Sequence, residues 1–381
     1  MAQPRTTKRQ LPTAVIVVAA IVAVVVLMVF GRFCSNATTI DVTVNGAKIT
    51  MHGAKDMNTA IRESGLPINP GDLISLKGNV LKRSAGYPFR ATVNGVETAD
   101  PDYVLRSGDV IEVTDGDDMV EEYDAVQSSL PHDATVVGMG PICTIEPGSN
   151  GVQEHRTGKI SGEEIDRVTQ EATEAHVEWF NVDVGDDKVI ALTFDEGPSR
   201  TYTDKILDVL DENNAKATFF FVGEQVEEFP DPVNRAWFDY QQVCTGTYDR
   251  EITVQSSADW LAEELRLGRE AIAKAVGARS VNPTTRFPNA MLTSSMAAAI
   301  DSETNTVVGW TLDTGDGVGS SEETIYSVLM EAQPGDIVVM RDGGGDRTNT
   351  VSALKKALPE LTAKGYSFIT IDQLLKYPHA G

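Results

Sequence analysis

Two acidic residues, Asp195 and Glu196, stand side by side at the end of an apolar stretch in the sequence ALTFDEGPS, residues 191–199. The run from Val189 to Thr193 predicts a strand, and Gly197-Pro198 predicts a turn directly after the acids. Adjacent acids at a strand end, followed by such a turn, place two carboxylates at the mouth of one pocket. This arrangement suits a site in which one carboxylate acts as a base and the other binds a metal.

The elements that must position these carboxylates alternate along residues 187–377. Predicted strands are Val189–Thr193, Ala217–Val222, Thr306–Gly309, Asp336–Met340 and Ser367–Thr370. Predicted helices are Thr203–Asn213, Trp260–Val276, Glu322–Glu331 and Ser352–Lys364. Strands that alternate with helices predict a parallel sheet or a β/α barrel, in which the working residues lie at the carboxyl ends of the strands.

Several motifs occur in the same order as in one known family. Residues 193–198, TFDEGP, closely resemble the TFDDGP motif of NodB-type polysaccharide deacetylases, which form carbohydrate esterase family four. Further similar stretches are ATFFFVG at 217–223, RFP at 286–288, WTLDTGD at 310–316, GDIVVM at 335–340 and KGY at 364–366. The resemblance implies that residues 187–377 form a distorted (β/α) barrel of the polysaccharide deacetylase type.

The resemblance also implies roles for individual residues. In that family the first acid of the motif activates water, an arginine orients it, and the second acid binds a divalent metal together with two histidines. Asp195 stands at the position of the base, Arg286 at that of the arginine, and Glu196, one methylene longer than aspartate, at the metal position. By the same correspondence we expect the substrate site to be lined by Arg250, Pro288, Trp310 and Asp313.

The histidines of that family are missing from this chain. Gly246 and Arg250 stand where the family has its metal-binding histidines, and Arg341 stands where a later histidine protonates the leaving amine. None of the five histidines lies between Asp187 and Pro378: they are His52, His132, His155, His176 and His379. A guanidinium neither ionises a bound water as a metal does nor donates a proton near neutral pH. The sequence therefore predicts no cofactor, and a divalent metal such as zinc only if the chain is an active hydrolase.

Three interpretations of these replacements stay open. A salt bridge from Arg250 to Glu196 could fill the place of the metal, and Arg250, Arg286 and Arg341 would then form a cationic pocket for an anionic glycan. Drift in a scaffold no longer selected for turnover would produce the same pattern. The third interpretation is an all-oxygen site for a hard cation, with ligands drawn from Glu196, Asp249, Glu251 or Asp342.

An uncharged segment near the N-terminus, Leu11–Gly31, has the length of a membrane-spanning helix. Arg5, Lys8 and Arg9 precede it, so residues 1–10 are expected to be cytoplasmic and everything after the segment to lie outside. The competing interpretation is a cleaved signal peptide, but the apolar run exceeds the usual ~7–15 residues and no A-x-A site follows. We expect a single-pass protein of the cell membrane with extracytoplasmic C-terminal domains.

The rest of the chain is strongly acidic. Four of the 32 basic residues lie at or before Arg32, which leaves 28 basic against 56 acidic residues after Arg32. Such a charge repels nucleic acid and anionic lipid headgroups, so nucleic acid is excluded as a partner. The three cysteines do not make a disulfide framework; Cys143 and Cys244 form either one bridge or two free thiols.

Three segments precede the predicted barrel on the outer side of the membrane. Residues 38–116 contain the Asn45-Gly46 hairpin signal, a short helix at Asp56–Ser64 and further strands, a pattern that resembles a β-grasp domain and predicts an inert spacer or a binding module. Residues 117–150, acidic and then rich in Pro and Gly, predict a linker. Residues 151–186, with a predicted β-turn-β piece around Gly158–Gly162 and a predicted helix from Glu163 to about His176, are interpreted as a collar of the barrel.

Two functions are compatible with these features. The first is a hydrolase that removes acetyl groups from peptidoglycan or another surface polysaccharide, with Asp195 as base and a metal held by Glu196 and unorthodox partners. The second is a pseudoenzyme that binds cell-wall glycan or an envelope partner without turning it over; no particular protein partner is predicted. The absence of histidine from the barrel favours the second.

Overall fold

The computed structural model describes residues 39–98, 100–249, 257–287 and 292–380. The described chain divides into two compact units, one made of residues up to 127 together with 154–167, the other of residues 128–153 together with everything from 168 onward. The predicted membrane anchor at 11–31 lies outside the described residues. Within the described ranges, no helix combines the length and the apolar character needed to cross a bilayer.

The N-terminal unit contains a mixed five-stranded sheet and one helix. Its strands are β1 Ile40–Val44, β2 Ala47–Met51, β3 Leu73–Ile74, β4 Val80–Lys82, β5 Arg90–Val93, β6 Val96–Thr98, β7 Val110–Thr114 and β8 Met119–Val120, and its helix is α1 Met57–Ser64. The sheet order is β2-β1-β7-β5-β6, with β1 and β7 parallel and the other pairs antiparallel. β3, β4 and β8 form a separate small sheet.

Local sequence explains these elements. Asn45 and Gly46 both have positive φ, 46° and 82°, as a two-residue hairpin turn requires, so the predicted hairpin is confirmed. The helix begins after Asp56, whose side chain accepts a hydrogen bond from the Thr59 amide, and it ends at Gly65 in the left-handed region. Its buried side chains complete a core with alternate residues of the sheet: Ile40, Val42, Val44, Met57, Ala60, Ile61, Ala91, Val93, Ile111 and Val113.

Two predictions between residues 117 and 186 are wrong. The segment predicted as a linker is largely β-structure, with β9 Tyr123–Leu130, β10 Ala134–Gly138 and β11 Ile142–Glu146. The collar contains no helix; it forms β12 Gly151–Gly158, β13 Glu164–Gln170 and β14 Ala175–Phe180. β9 and β13 expose nearly all of their side chains. Such strands are specified by pairing with distant partners and not by an apolar face, so their sequences lack the alternation that would reveal them.

The C-terminal unit is built on a parallel sheet. Its further strands are β15 Val189–Asp195, β16 Ala217–Val222, β17 Gln242–Thr247, β18 Thr284–Thr285, β19 Thr306–Val308, β20 Leu312–Asp313, β21 Ile337–Arg341 and β22 Ser367–Phe368. The order is β10-β14-β11-β19-β18-β17-β16-β15-β21-β20, with β22 also paired to β15. All pairs from β19 to β20 are parallel, whereas β11 is antiparallel to both of its neighbours. The unit therefore recruits residues 134–146 and 175–180, which lie before the predicted boundary at 187.

Helices alternate with these strands, as the sequence predicts. They are α2 Thr203–Glu212, α3 Gly223–Glu228, α4 Pro230–Phe238, α5 Ala258–Val276, α6 Ser294–Ile300, α7 Glu322–Glu331, α8 Thr348–Ala363 and α9 Ile371–Leu374. Both faces of β15 are buried. Ile190, Leu192 and Phe194 pack in a core shared with the helices, while Val189 and Ala191 belong to a second core on the opposite face. The near-continuous apolar run of this strand follows from that double burial.

The two described cysteines, Cys143 and Cys244, are buried free thiols. Of the two alternatives left by the sequence, the structure has the unbridged one. Burial raises the pKa of the Cys143 thiol to about 12, so it stays protonated at neutral pH.

Candidate active site

Asp195 lies at the carboxyl end of β15, on the face that Thr193 also occupies. Arg286, which follows β18, crosses to this strand end: its Nη1 donates to Asp195 Oδ1 at 2.9 Å and to Thr193 Oγ1 at 2.7 Å. Its remaining nitrogens donate to the backbone, Nε to the Val308 carbonyl at 3.0 Å and Nη2 to the Gly309 carbonyl at 2.7 Å. The guanidinium is thereby fixed in position by four acceptors.

The environment of this ion pair is dry on one side and open on the other. The Arg286 side chain is 2% exposed, and the Asp195 side chain is 20% exposed. Burial raises the pKa of the Asp195 carboxyl, and the Arg286 guanidinium offsets part of that effect. Asp195 therefore combines access to solvent with enhanced basicity, which is what a water-activating base requires.

Glu196, immediately after Asp195, is paired with Arg341 at the end of β21. The parallel register places Asp195 directly opposite Arg341. Arg341 Nε donates to Glu196 Oε1 at 3.1 Å, and its Nη1 donates to Asp316 Oδ1 at 3.1 Å. Glu196 has a φ of +65°, an unusual conformation for a residue other than glycine and one that concentrates at functional sites.

Asp316 is the buried acid of this network; it ends the WTLDTGD motif, but the sequence analysis gave it no role. Besides the Nη1 bond, Asp316 Oδ2 accepts from the Arg341 amide at 2.8 Å and from Thr350 Oγ1 at 3.0 Å. A Cβ on Gly317 would lie 2.2 Å from Arg341 Cζ, so the guanidinium lies directly against the glycine backbone. Burial alone would lower the pKa of Arg341, but the Asp316 and Glu196 carboxylates raise it. The arginine is held charged between two acids.

A third acid, Asp342, is fully buried beneath the turn that follows Glu196. Its Oδ2 accepts from Thr203 Oγ1 at 2.6 Å, while its Oδ1 has no hydrogen-bond partner. A Cβ added to Gly197 would lie 2.1 Å from this carboxyl, so only glycine fits there. Burial raises the pKa of Asp342 to about 7. Its carboxyl therefore packs against the Gly197 backbone.

The strand end next to β16 carries Gly246 on β17. A Cβ there would meet nothing closer than the Phe220 carbonyl at 3.5 Å, so the position has room for a larger side chain. Asp249, three residues on, has its amide bonded to the buried Glu264 at 2.7 Å. Arg250 and Glu251 lie outside the described residues, so the structure does not test the predicted pairing of Arg250 with Glu196. In the described chain Arg341 bonds Glu196.

Of the predicted substrate-binding residues, Trp310 contacts the Asp195–Arg286 pair, whereas Asp313 is bonded within its own turn. Trp310 packs with Arg286, whose Cζ lies 5.8 Å from the indole centroid, and Phe220 covers the guanidinium at 4.4 Å. Asp313 is exposed at the end of β20, and its carboxylate accepts from the Gly315 amide of its own turn at 2.8 Å. Pro288 lies outside the described residues. The structure thus brings together Asp195, Arg286, Glu196, Arg341 and Trp310.

Comparison with known proteins identifies the scaffold. A family model described as polysaccharide deacetylase matches residues 183–308. A peptidoglycan-N-acetylglucosamine deacetylase of Bacillus cereus is 35% identical over 196 residues, which cover 51% of this chain and 91% of that protein. The chain belongs to the polysaccharide deacetylase family. A chitooligosaccharide deacetylase of Rhizobium leguminosarum bv. trifolii is 32% identical over 203 residues, covering 49% of this chain and 92% of that protein.

Among solved structures, a peptidoglycan N-acetylglucosamine deacetylase matches with a TM-score of 0.48 and 29% sequence identity, over 53% of this chain and 94% of that one. The α/β unit of this family member has the NodB-type fold that the motifs predict.

Polysaccharide deacetylases typically depend on a divalent metal, but the residues found here do not fit one. The carboxylate at the metal position is bonded to a guanidinium, and Gly246 offers no side-chain ligand. Across the described parts of the chain, no group of three or more His, Cys, Asp or Glu side chains is placed to hold a metal. Of the acids considered for an all-oxygen site, Asp342 is buried and bonded to Thr203, and Glu251 is outside the described residues.

Proposed function

We propose that this member of the polysaccharide deacetylase family is a pseudoenzyme, which binds a cell-wall or surface polysaccharide without removing its acetyl groups. The observation that carries the proposal is the bond from Arg341 to Glu196, backed by the buried Asp316. This network puts a permanent organic cation against the carboxylate that would otherwise serve a metal.

The chemistry of the network argues against turnover. A guanidinium carries one delocalised charge and no open coordination position, so it cannot lower the pKa of a water molecule as a divalent metal does. Arg341 also stands where the family has its general acid, and with the pKa of Arg341 raised by two carboxylates it does not release a proton at neutral pH. The site therefore lacks both a metal to activate water and an acid to protonate the leaving amine.

The same residues suit binding. The partly exposed Arg341 guanidinium and the partly open Asp195 carboxylate offer directional hydrogen bonds to hydroxyl, acetamido and carboxylate groups of a glycan. Trp310 adds an apolar surface beside Arg286. The pocket carries less positive charge than the sequence led us to expect, because Arg286 and Arg341 are each paired with acids.

One observation favours the alternative, an active hydrolase that removes acetyl groups from peptidoglycan or another surface polysaccharide. Asp195 keeps its orienting arginine, its access to solvent and a raised pKa. Such a base would be useful only with an electrophile for the acetamide carbonyl, which this alternative must obtain from a metal bound through unorthodox ligands.

We further propose that residues 11–31 anchor the protein in the cell membrane, with the acidic remainder on the outer side, and that residues 38–116 form a β-grasp-like domain. A helix packed on a sheet ordered β2-β1-β7-β5-β6, with a parallel central pair, supports the second point. Protease digestion of intact spheroplasts that express the C-terminally tagged chain tests the first; protection of the C-terminal part would contradict it.

The test of function uses one preparation for two readouts. Wild-type protein is incubated with purified peptidoglycan and with acetylated chito-oligosaccharide in the presence of Zn²⁺, Co²⁺, Mn²⁺ or Ni²⁺, and both retention and released acetate are measured. We expect retention without acetate release. Acetate release that disappears in Asp195→Asn would overturn the pseudoenzyme proposal, and absence of retention would overturn the glycan-binding part.

The contribution of the cationic network is measured by the same retention assay. Arg341→Ala is expected to weaken retention, whereas Arg266→Ala, which removes a charge from the exposed face of α5, is expected to leave it unchanged. Equal loss in the two variants would point to non-specific charge effects in place of a site.

A further inference from the structure

A second cleft lies beside the Asp195–Arg286 pair, and part of its wall comes from outside the family domain. Its volume is about 410 Å³, within the usual range of about 300–1,000 Å³ for ligand sites. The lining consists of Trp179, Trp310, the backbone of Gly309 and the segment 138–141, which includes Met139. The family model begins at residue 183, so Met139 and Trp179 precede the matched region.

The wall formed by segment 138–141 is held in place by backbone contacts. Gly138 has a φ of +74°, and a Cβ there would lie 2.1 Å from the Trp179 carbonyl, so the chain approaches β14 as closely as only glycine permits. The Gly309 amide donates to the Pro141 carbonyl at 2.6 Å, and Asn181 Nδ2 donates to the Met139 carbonyl at 3.4 Å. The segment is therefore a fixed wall, although Met139 is 85% exposed.

Two residues that line the cleft, Gly309 and Trp310, also contact the Arg286 guanidinium. Gly309, whose amide holds segment 138–141, uses its carbonyl to accept from Arg286 Nη2 at 2.7 Å. Trp310 lines the cleft and also packs with the Arg286 guanidinium. Gly309 and Trp310 therefore place the cleft next to the Asp195–Arg286 pair.

The chemistry of the lining selects the occupant. Two indoles and a thioether are apolar, and no charged side chain is among the described residues that line the cleft. Aromatic side chains offer a large apolar face with a polar tip, which complements the apolar face and hydroxyl rim of a pyranose ring. An anionic unit would find no counter-charge here, in a chain with a formal net charge of −24.

We propose that Met139 and Trp179 form a subsite for an uncharged pyranose unit, adjacent to the unit held at Asp195 and Arg286, and that this subsite sets which glycan is bound. The proposal rests on the proposed glycan-binding function. It makes the segment before the family domain a determinant of specificity, because segment 138–141 and Trp179 supply one side of the cleft.

The test compares oligosaccharides of different length by isothermal titration calorimetry on the full protein. N-acetylglucosamine and its β-1,4 tetramer are titrated into wild type, Met139→Ala, Trp179→Ala and the control Phe238→Ala, whose exposed ring is not part of this cleft. We expect the tetramer to bind about three- to tenfold more weakly to Met139→Ala and at least about tenfold more weakly to Trp179→Ala, from the apolar area lost. Phe238→Ala should match wild type.

The outcomes separate the two proposals. Tetramer binding by wild type that is unchanged in both cleft variants would overturn the subsite and leave the proposed function standing. No binding of the tetramer by wild type would overturn both. Thermal unfolding checks each variant, and if Trp179→Ala does not fold, Met139→Ala and Met139→Lys decide, because an 85% exposed side chain can be replaced without loss of core packing.

Discussion

At the level of single residues, Arg341 holds together two carboxylates, Glu196 and Asp316, that would otherwise repel each other. The Asp316 side chain is 1% exposed and that of Arg341 22% exposed, so the pair is largely withdrawn from water. Breaking a buried pair by removing one partner leaves an uncompensated charge, which is much more costly than losing a surface ion pair.

Replacing Arg341 by methionine is therefore expected to lower the free energy of unfolding by about 3 kcal/mol, because Asp316 remains buried without its cation. The matched variant Arg266→Met removes an exposed ion-pair partner on α5 and should cost less than about 1 kcal/mol. Urea denaturation of both variants measures the difference. Similar small losses would show that the network contributes little to stability.

The buried Asp342 carboxyl is expected to make the free energy of unfolding depend on pH. The pKa of this carboxyl is about 7 in the folded chain and near the ordinary value of 3.8 when unfolded, so the folded state binds the proton more tightly. The free energy of unfolding should then fall as pH rises from about 4 to about 7, by roughly 4 kcal/mol from this group alone. In Asp342→Asn that fall should vanish, while the amide oxygen can still accept from Thr203.

The measurement is the free energy of unfolding across this pH range for wild type, Asp342→Asn and Asp313→Asn, whose carboxyl is exposed at a neighbouring strand end. The Asp313 variant should keep the wild-type slope. A wild-type slope retained in Asp342→Asn would mean that other groups cause the pH dependence.

At the level of elements, the sequence reveals those with the strongest apolar pattern and misses others, including the largely buried strands β11, β14 and β17. β16 and α7 are predicted to the residue, because ATFFFV is buried throughout and α7 places Ile325 and Leu329 on one face. β9 and β13 are missed, since their exposed residues carry no such signal. In the site, motifs assign roles to Asp195, Glu196, Arg286 and Arg341. Thr193 and Asp316 also lie in those motifs, but their contacts, like that of Thr350, join distant segments, which spacing does not show.

The connection between β9 and β10 is bonded to the end of α6 through a largely buried histidine, His132. His132 Nδ1 lies 2.7 Å from Asn150 Oδ1 and its Nε2 lies 2.8 Å from Asp301 Oδ2, next to the end of the helix. The bond to Asn150 raises the pKa of His132, burial opposes this, and Asp301 with Asp133 adds to the increase. With an acceptor at each ring nitrogen, the doubly protonated imidazolium satisfies both contacts.

His132→Gln is therefore expected to destabilise the protein most at low pH. A histidine whose folded pKa is raised contributes stability below its unfolded pKa of about 6.5 and loses it as pH rises through the folded value. Unfolding at about pH 5.5 should show a loss of about 2 kcal/mol, typical for hydrogen bonds to a charged group, shrinking by about pH 8.5. The exposed His176→Gln is the control. A loss independent of pH would mean that His132 acts only by packing.

At the level of the whole molecule, the chain combines a family domain with regions that the family match does not cover. Residues 128–153 and 168–182 pack into the same unit as the matched region and supply strands β10, β11 and β14. The polysaccharide deacetylase scaffold is thus extended at the edge next to Trp310 and Gly309, where the proposed subsite lies. The strong negative charge of the chain leaves neutral or locally neutralised sugars as its most favourable glycan ligands.

We propose that the Arg341–Glu196–Asp316 network stands in place of the family's metal. The most direct test is metal content after equilibrating the purified wild-type protein with Zn²⁺, Co²⁺, Mn²⁺ or Ni²⁺ and removing unbound ions, with Glu196→Gln measured in parallel. We expect no stoichiometric metal in either protein, because Glu196 is bonded to a guanidinium and Gly246 provides no ligand. One ion per chain in wild type, lost in Glu196→Gln, would contradict it.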